Sequence, residues 1–329
     1  MWPMPAFQPA SPAWCCSSSG ACLPPAPAKD AADCRHTAFG NNPNQYGLCT
    51  YCPAERHTMH PILFELGGFS IKTYGFLIAV GFAIGLFIAL REARRVGLNV
   101  DAIGDLAFYI LLGAIVGSRI YYILTNLEYF TQHPLDMFKI WEGGLTFFGG
   151  FILAVILCVW MIRKHRLPVW KTLDVFAPSL AVGVFFGRLG CFSAGCCYGR
   201  ACDLPWVVTF THPLTLARSG VALHPTQLYS ALGAAITFIL LYSLRRRKTF
   251  DGQLALLWGL CYSCERLITE QFRGDIRGGM LTDHIEISFV IAVVIVIVSL
   301  ILFPILKKRN RLAPAAENTN PAEKNQTHQ

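Results

Sequence analysis

The residues in this chain that could do chemistry are arginines at the ends of apolar runs, glycine-rich turns beside them, and clustered cysteines. In "GRLGCFSAGCCYGR" (Gly187 to Arg200), Arg188 closes an apolar run, and Cys191, Cys196 and Cys197 follow within nine residues. In "CYSCERLITEQFRGD", Tyr262, Arg266, Glu270 and Arg273 are spaced i, i+4, i+8 and i+11, which on a helix falls within about 80° of one face. Arg119 lies inside another apolar run, "GSRIYYIL". A guanidinium binds phosphate through two parallel hydrogen bonds and stays charged when desolvated, so arginines converging in such surroundings suit an anionic group, a phospholipid headgroup being the nearest candidate. The competing reading is an internal ion network in which Glu270 pairs with Arg266 and Arg273, although two arginines to one carboxylate leave a positive excess.

The cysteines admit three readings. Cys191, Cys196, Cys197 and Cys202 are spaced five, one and five apart, unlike the paired C-x2-C groups of zinc sites, so no metal is expected. In an oxidising compartment a disulfide within the turn, Cys191 to Cys196 or Cys197 to Cys202, competes with simple packing as small apolar side chains. "CTYC" (Cys49 to Cys52) offers one ligand pair without a second.

The elements that must position these groups are membrane spans. The chain of 329 residues is 53% hydrophobic and 15% charged, which excludes an ordinary soluble domain. A helix needs about 20 mostly apolar residues to cross a bilayer. About seven stretches qualify: Ser70 to Leu90, Ile103 to Leu124, Thr146 to Ile162, Thr172 to Gly190, Thr226 to Leu244, Gln253 to Phe272 and Ile285 to Leu306. The expected fold is therefore an all-α polytopic membrane helix bundle. The net charge of +8 gathers at span ends, in "REARR", "RKHR", "RRRK" and "KKRNR" after the first, third, fifth and seventh spans, so it orients the protein and does not point to nucleic acid. By the positive-inside rule the N-terminus is outside and the C-terminus inside. "GFAIG", "GAIVG" and "GVFFG" place small residues at i, i+4, where they let helices pack closely. Residues 1–58 read as a disordered or over-called extension before Met59, residues 59–309 as the membrane domain, and residues 310–329 as a disordered cytoplasmic tail.

Charges inside spans cost on the order of 2.5–3.5 kcal/mol each, so Arg119, Arg188, Arg266, Glu270 and Arg273 demand partners or a wet cavity on the side poor in lysine and arginine. "WEGGLTFFGG" and "GRLGCFSAGCCYG" stand at outer span ends, where backbone N–H groups add donors. Trp141, Phe147, Phe148, Tyr198 and Trp206 around them suit an interfacial depth.

Taken with "YG" at Tyr74 and Gly75, "GSR" at Arg119 and "HPTQLY" (His224 to Tyr229), these motifs resemble, in order, the prolipoprotein diacylglyceryl transferase family over roughly Met59 to Arg309. The resemblance implies a seven-span enzyme of the bacterial inner membrane with its site toward the periplasm. It would transfer diacylglyceryl from phosphatidylglycerol to the lipobox cysteine thiol of a preprolipoprotein, releasing glycerol 1-phosphate. Arg188 and Arg266 correspond to the family's two essential arginines. Tyr74, Arg119, Gly143, Gly144, Gly199, Tyr262, Glu270 and Arg273 match substrate-binding positions, and Asp174 matches a position too far from Arg188 to be other than structural. A monomer with no cofactor, metal or nucleic-acid partner is expected. Phe148, Cys191 and Cys196 stand where the family usually has histidine, asparagine and glutamate. Phenylalanine cannot accept a proton, so His224, with Glu270 and Tyr198, becomes a candidate general base. The alternatives are a membrane thiol-redox protein working through Cys191 to Cys202, or a transporter of an anionic solute.

Overall fold

The computed structural model describes residues 61–66, 69–139, 143–144, 146–274, 280–282 and 285–317, all within the compact unit Arg56–Gln329. The expected 1–58 extension, Trp141 and residues 318–329 lie outside the described residues. A short hairpin, β1 (Ile62–Leu66) and β2 (Phe69–Lys72), leads into α1 (Thr73–Val96) and α2 (Val100–Thr125). The small helices α3 (Leu127–Gln132) and η1 (Pro134–Phe138) precede α4 (Phe147–Lys164) and α5 (Val169–Ala194). A loop carrying β3 (Val208–Thr209) and β4 (Ala222–Leu223) connects to α6 (Thr226–Leu244) and α7 (Gln253–Glu270), and β5 (Met280–Thr282) with β6 (Ile285–Glu286) leads into α8 (Ile287–Glu317). The protein is an all-α, polytopic membrane bundle. Among the described residues, six helices are long and apolar enough to cross a bilayer: α1, α2, α4, α5, α6 and the part of α8 from Ser288 to Asn310. The sequence led to seven; α7 does not qualify by itself, because Glu265, Arg266 and Glu270 lower its hydropathy, and it is held in the bundle against α5, α6 and α8. Helix α8 is described as far as Glu317.

Local signals set the ends. Gly97, at φ 71°, closes α1 in the left-handed conformation, and the Asn99 side-chain oxygen accepts from the N–H groups of Asp101 and Ala102 at 3.0 and 3.2 Å to start α2. Glycines then set the helix contacts. A methyl group at Gly117 would lie 2.7 Å from Leu153 Cβ and collide with the Gly149 carbonyl, and one at Gly149 would collide with Tyr121 Cβ and the Gly117 carbonyl, so α2 and α4 meet backbone to backbone. Gly81 of α1 is similarly pressed on Phe186 of α5 at 2.7 Å. "GFAIG" and "GAIVG" thus serve packing. "GVFFG" differs: a side chain at Gly183 or Gly187 would meet nothing within 4 Å, so these glycines leave open space beside Arg188 instead of closing a contact.

The basic end is knitted by buried carboxylates. Glu92, near the end of α1, is 2.7 Å from the Nε atoms of both Arg95 and Arg245, the latter at the end of α6. Asp174 in α5 accepts from Lys248 Nζ at 2.9 Å and from the N–H groups of Gly252 and Ala255 at 2.9 and 3.0 Å, capping α7 with a side chain from another helix. Burial works against the Lys248 charge, but the carboxylates of Asp251 and Asp174 hold it above the usual lysine range. Asn310 of α8 donates to the Thr249 carbonyl at 2.9 Å, and His165 after α4 stands 3.7 Å from Asp105 at the start of α2. Ala93, Ile103, Leu106, Met161, Ile162 and Val175 form a core at this same end. These contacts bring all four basic clusters to one end of the bundle, and the 14 residues from Asp174 to Arg188 put the arginine roughly 21 Å further along α5.

Replacing Gly149 by alanine should force α2 and α4 apart and destabilise the bundle by about 1–3 kcal/mol. Alanine at Gly183, which meets open space, should leave stability almost unchanged. Thermal unfolding of the two variants in detergent checks the contrast; equal midpoints would refute the packing assigned to Gly149.

Candidate active site

The arginines divide by what has become of their N–H groups. Arg119, 8% exposed, donates to the carbonyls of Met137 at 3.0 Å, Asp136 at 2.5 Å, Gly143 at 2.8 Å and Gly144 at 3.3 Å. The rings of Tyr122 and Phe130 flank it at 5.6 and 5.5 Å. Gly143 and Gly144 adopt φ of 102° and 71°, which aims their carbonyls at the guanidinium, and a side chain at Gly144 would collide with Tyr122. Thr146 adds an N–H and a hydroxyl bond to the Ser118 carbonyl at 3.3 and 3.0 Å. Arg119, Gly143 and Gly144 are therefore joined as a fastening for the segment between α2 and α4.

Arg188, in the last turns of α5, has no hydrogen-bond or ion-pair partner among the described residues. Its electrostatic neighbours are Cys191 and Cys197 on its own side and Tyr262 and Glu265 on α7. Arg266, 5% exposed, donates from Nη2 to Ser288 Oγ at 3.0 Å and stands 2.8 Å from Glu270 Oε2, while its Nη1 is buried without a partner. The Arg266–Glu270 ion pair that the helix spacing suggested is present, and Arg188 stands apart from it.

Between α5, α6 and α7 lies a narrow cleft lined by Val184, Gly233, Thr237, Trp258, Tyr262 and Glu265 among others. Trp258 and Tyr262 stack with ring centroids 5.4 Å apart. Gly233 makes room for Glu265, since a methyl group there would lie 2.6 Å from Glu265 Cγ. Glu265 Oε1 is buried with no hydrogen-bond partner. The sequence reading passed over Glu265, although it sits three residues after Tyr262 and so on nearly the same face; a carboxylate in the middle of an apolar helix was the available signal.

The second glycine-rich signature is built by backbone pairing. Residues 198–202 run between two neighbours: Gly199 and Cys202 donate to His224 and Ala222 on one side, and Arg200 N–H to Phe272 at 2.8 Å and Gly274 N–H to Tyr198 at 3.3 Å on the other. Gly199 is obligatory there, because a side chain would overlap His224 and lie 2.7 Å from the Phe272 carbonyl. This pairing brings Arg273 beside Gly199 and ties α7 to the end of α5. "HPTQLY" supplies two further residues that the sequence reading missed: the buried Thr226 and Gln227 side chains donate to the carbonyls of Cys197 at 2.8 Å and Cys196 at 2.7 Å. Tyr74 packs on Gly190, 3.0 Å from where a side chain there would begin, and has Cys191, Cys196, Cys197 and Arg188 as electrostatic neighbours.

The candidate bases differ in freedom. Trp206 Nε1, which can only donate, is 2.9 Å from the Tyr229 hydroxyl, and that hydroxyl is 3.2 Å from His224 Nδ1. Tyr229 thus has its own proton to give to Nδ1, which engages that nitrogen. Phe148 is half exposed on α4, edge-on to Phe147. The seven described cysteines are all free, and the Sγ atoms of Cys191, Cys196 and Cys197 lie within 4.8 Å of one another. Hydrogen bonds with the Cys191 and Cys196 thiols, and beyond them the Arg273 and Arg188 guanidiniums, hold the Cys197 thiol below the usual range.

A family profile described as prolipoprotein diacylglyceryl transferase matches residues 61–305. The chain belongs to this family. Among its relatives, the phosphatidylglycerol–prolipoprotein diacylglyceryl transferase of Finegoldia magna is 33% identical over 74% of this chain and 94% of its own length. The transferase of the same name from Geobacter sulfurreducens is 33% identical over 77% and 97%, and that of Solidesulfovibrio magneticus 39% over 65% and 81%. The match begins at the hairpin and ends in α8, so every helix described above begins within the family region.

In this family member, Arg119→Ala should free the segment between α2 and α4, raising amide hydrogen exchange over residues 134–139 by on the order of tenfold. Exchange in α5 and α7 should not change; unaltered exchange at 134–139 would contradict the fastening role.

Proposed function

We propose that this protein transfers the diacylglyceryl group of phosphatidylglycerol to the lipobox cysteine thiol of a preprolipoprotein, in the bacterial inner membrane, with the bundle end opposite the basic clusters facing the periplasm. The observation that carries this reading is that Arg188, and Nη1 of Arg266, keep unused donors beside the cleft, whereas the donors of Arg119 are directed at carbonyls. Family membership favours this reading over a thiol-redox protein or an anion transporter.

The reaction joins the thiol sulfur to a glycerol carbon and breaks the bond from that carbon to a phosphate oxygen, so glycerol 1-phosphate departs with the electron pair and the thiol proton must be taken up. A free thiol, with pKa near 8.5, is only a few per cent thiolate at pH 7. Negative charge gathers on the departing phosphate, and guanidinium donors already in place favour that state over the ground state. Arg188 is assigned to the phosphate, with Arg266 Nη1 as a second donor. Glu265 is assigned as proton acceptor, because its Oε1 is unpartnered and it neighbours Arg188, whereas Glu270 faces Arg266 and Nδ1 of His224 is engaged by Tyr229. Tyr262 and Trp258 line the same cleft, and Tyr74, Gly199 and Arg273, the last two paired with each other, are assigned to substrate binding. Arg119, Gly143 and Gly144 become positioning residues. The protein is assigned as a monomer, and the transfer itself as needing no cofactor.

Transfer from labelled phosphatidylglycerol to a lipobox peptide by the purified protein tests the assignment. Arg188→Ala should lose about 10²- to 10³-fold in kcat. Glu265→Gln should lose activity at neutral pH and regain part of it as the pH rises toward the thiol pKa near 8.5, since ionised thiol no longer needs an acceptor. Full activity in a folded Arg188→Ala variant would overturn the phosphate role, and a Glu265→Gln deficit independent of pH would remove Glu265 as the acceptor.

A further inference from the structure

The transfer reaction leaves unused a feature that the spacing of the cysteines did not announce. Cys191 lies in the last turn of α5, and Gly195, at φ 70°, turns the chain so that Cys196 N–H bonds back to the Cys191 carbonyl at 3.1 Å. Cys197 follows with φ 61°, a left-handed conformation unfavourable for a β-carbon-bearing residue and so imposed by its surroundings. What imposes it comes from α6: the buried side chains of Gln227 and Thr226 grip the carbonyls of Cys196 and Cys197. Gly195 has no room for a side chain, because Thr215 Oγ1 occupies that space. The three Sγ atoms consequently face one another within 4.8 Å from a turn held on several sides.

We propose that Cys191, Cys196 and Cys197 form a trigonal thiolate site for one soft monovalent d10 cation, with Cu(I) as its reference ion. In a plane of three sulfurs about 2.3 Å from a central ion, the sulfurs stand about 4.0 Å apart, so closing the site needs shifts of less than about an ångström. Soft thiolates select Cu(I) and zinc. No histidine, aspartate or glutamate joins these three thiols as a fourth ligand among the described residues, which disfavours structural zinc with its four-coordinate tetrahedron. Two guanidiniums, Arg188 and Arg273, are the cationic neighbours of Cys197 and favour an anionic thiolate site. Binding exchanges three S–H protons for three metal–sulfur bonds, releases the protons to solvent, and changes no oxidation state.

The chain carries 13 cysteines, so the test must resolve them individually. The reduced full-length protein in detergent is incubated anaerobically with Cu(I) held by a chromophoric competing chelator, then alkylated and mapped by mass spectrometry. The expected result is protection of Cys191, Cys196 and Cys197 together at one equivalent of Cu(I), with Cys158 and Cys264 labelled as before. In competition titration, Cys191→Ser and Cys196→Ser should each weaken this protection by more than the roughly 10- to 100-fold that losing an outer-shell contact costs. Zn(II) in a parallel arm should protect less well. Equal alkylation of the three cysteines with and without Cu(I) overturns the site without requiring any variant to fold. Tighter protection by Zn(II) overturns the trigonal monovalent assignment.

Discussion

A guanidinium buried in an apolar bundle has to find acceptors, and the way each arginine meets that demand organises this structure. At the basic end, Glu92 takes Arg95 and Arg245 together and so joins α1 to α6. Halfway round, Arg119 finds its acceptors in backbone carbonyls, which converts a charge that would oppose insertion into the fastening of a loop. Arg266 reaches Glu270 on its own helix and Ser288 on α8, linking the last two helices. Arg188 alone among these five ends without such a partner among the described residues. A buried or half-buried charge left so is costly unless a ligand supplies the missing acceptors, which makes the energetics of the fold and the case for an anionic substrate one statement.

The scaffold spends its strongest local constraints on where that arginine stands. Asp174 caps α7 from within α5, so the two helices that carry Arg188 and Arg266 are registered against each other at one end. At the other end the three-way pairing of residues 198–202 with 222–224 and 272–274 registers them again. Between these two ties the glycines of α5 behave in opposite ways from those of α2 and α4. Gly117 and Gly149 bring helices into contact, whereas Gly183 and Gly187 withhold side chains and leave open space. Small residues are therefore ambiguous as a pattern, and only the neighbouring helix decides whether they close a contact or open a groove.

Much of the architecture was legible because a bilayer imposes it. Span lengths, the basic clusters and two of the three glycine pairs follow from hydrocarbon thickness and close packing, requirements that act along a single helix. The site was legible to the extent that its residues share one helix, as Arg266 and Glu270 do. It was illegible where position depends on chain reversal. Ligand spacing argued against a thiol cluster, because intervals of five and one look unsuited until left-handed residues at Gly195 and Cys197 fold the turn back. Arg119 has the same composition signal as Arg188; what separates them is the supply of carbonyls from Gly143 and Gly144, two residues whose positive φ no spacing reveals.

Helix α7 connects these themes. With Glu265, Arg266 and Glu270 in 18 residues it is too polar to count as a span by itself, and its polar face is turned to α5, α6 and α8. The cost of those charges is met only by neighbours, through the cap from Asp174, the Ser288 hydroxyl and the space that Gly233 leaves for Glu265. Where that compensation is complete, at the Arg266–Glu270 pair, the charges hold the bundle together. Where it is incomplete, at Glu265 Oε1 and Arg266 Nη1, the unpaired groups lie beside Arg188 and the cleft. An acceptor and two donors are thus left unsatisfied within one region, and in the proposed reaction a thiol and a phosphodiester would supply what both kinds of group lack.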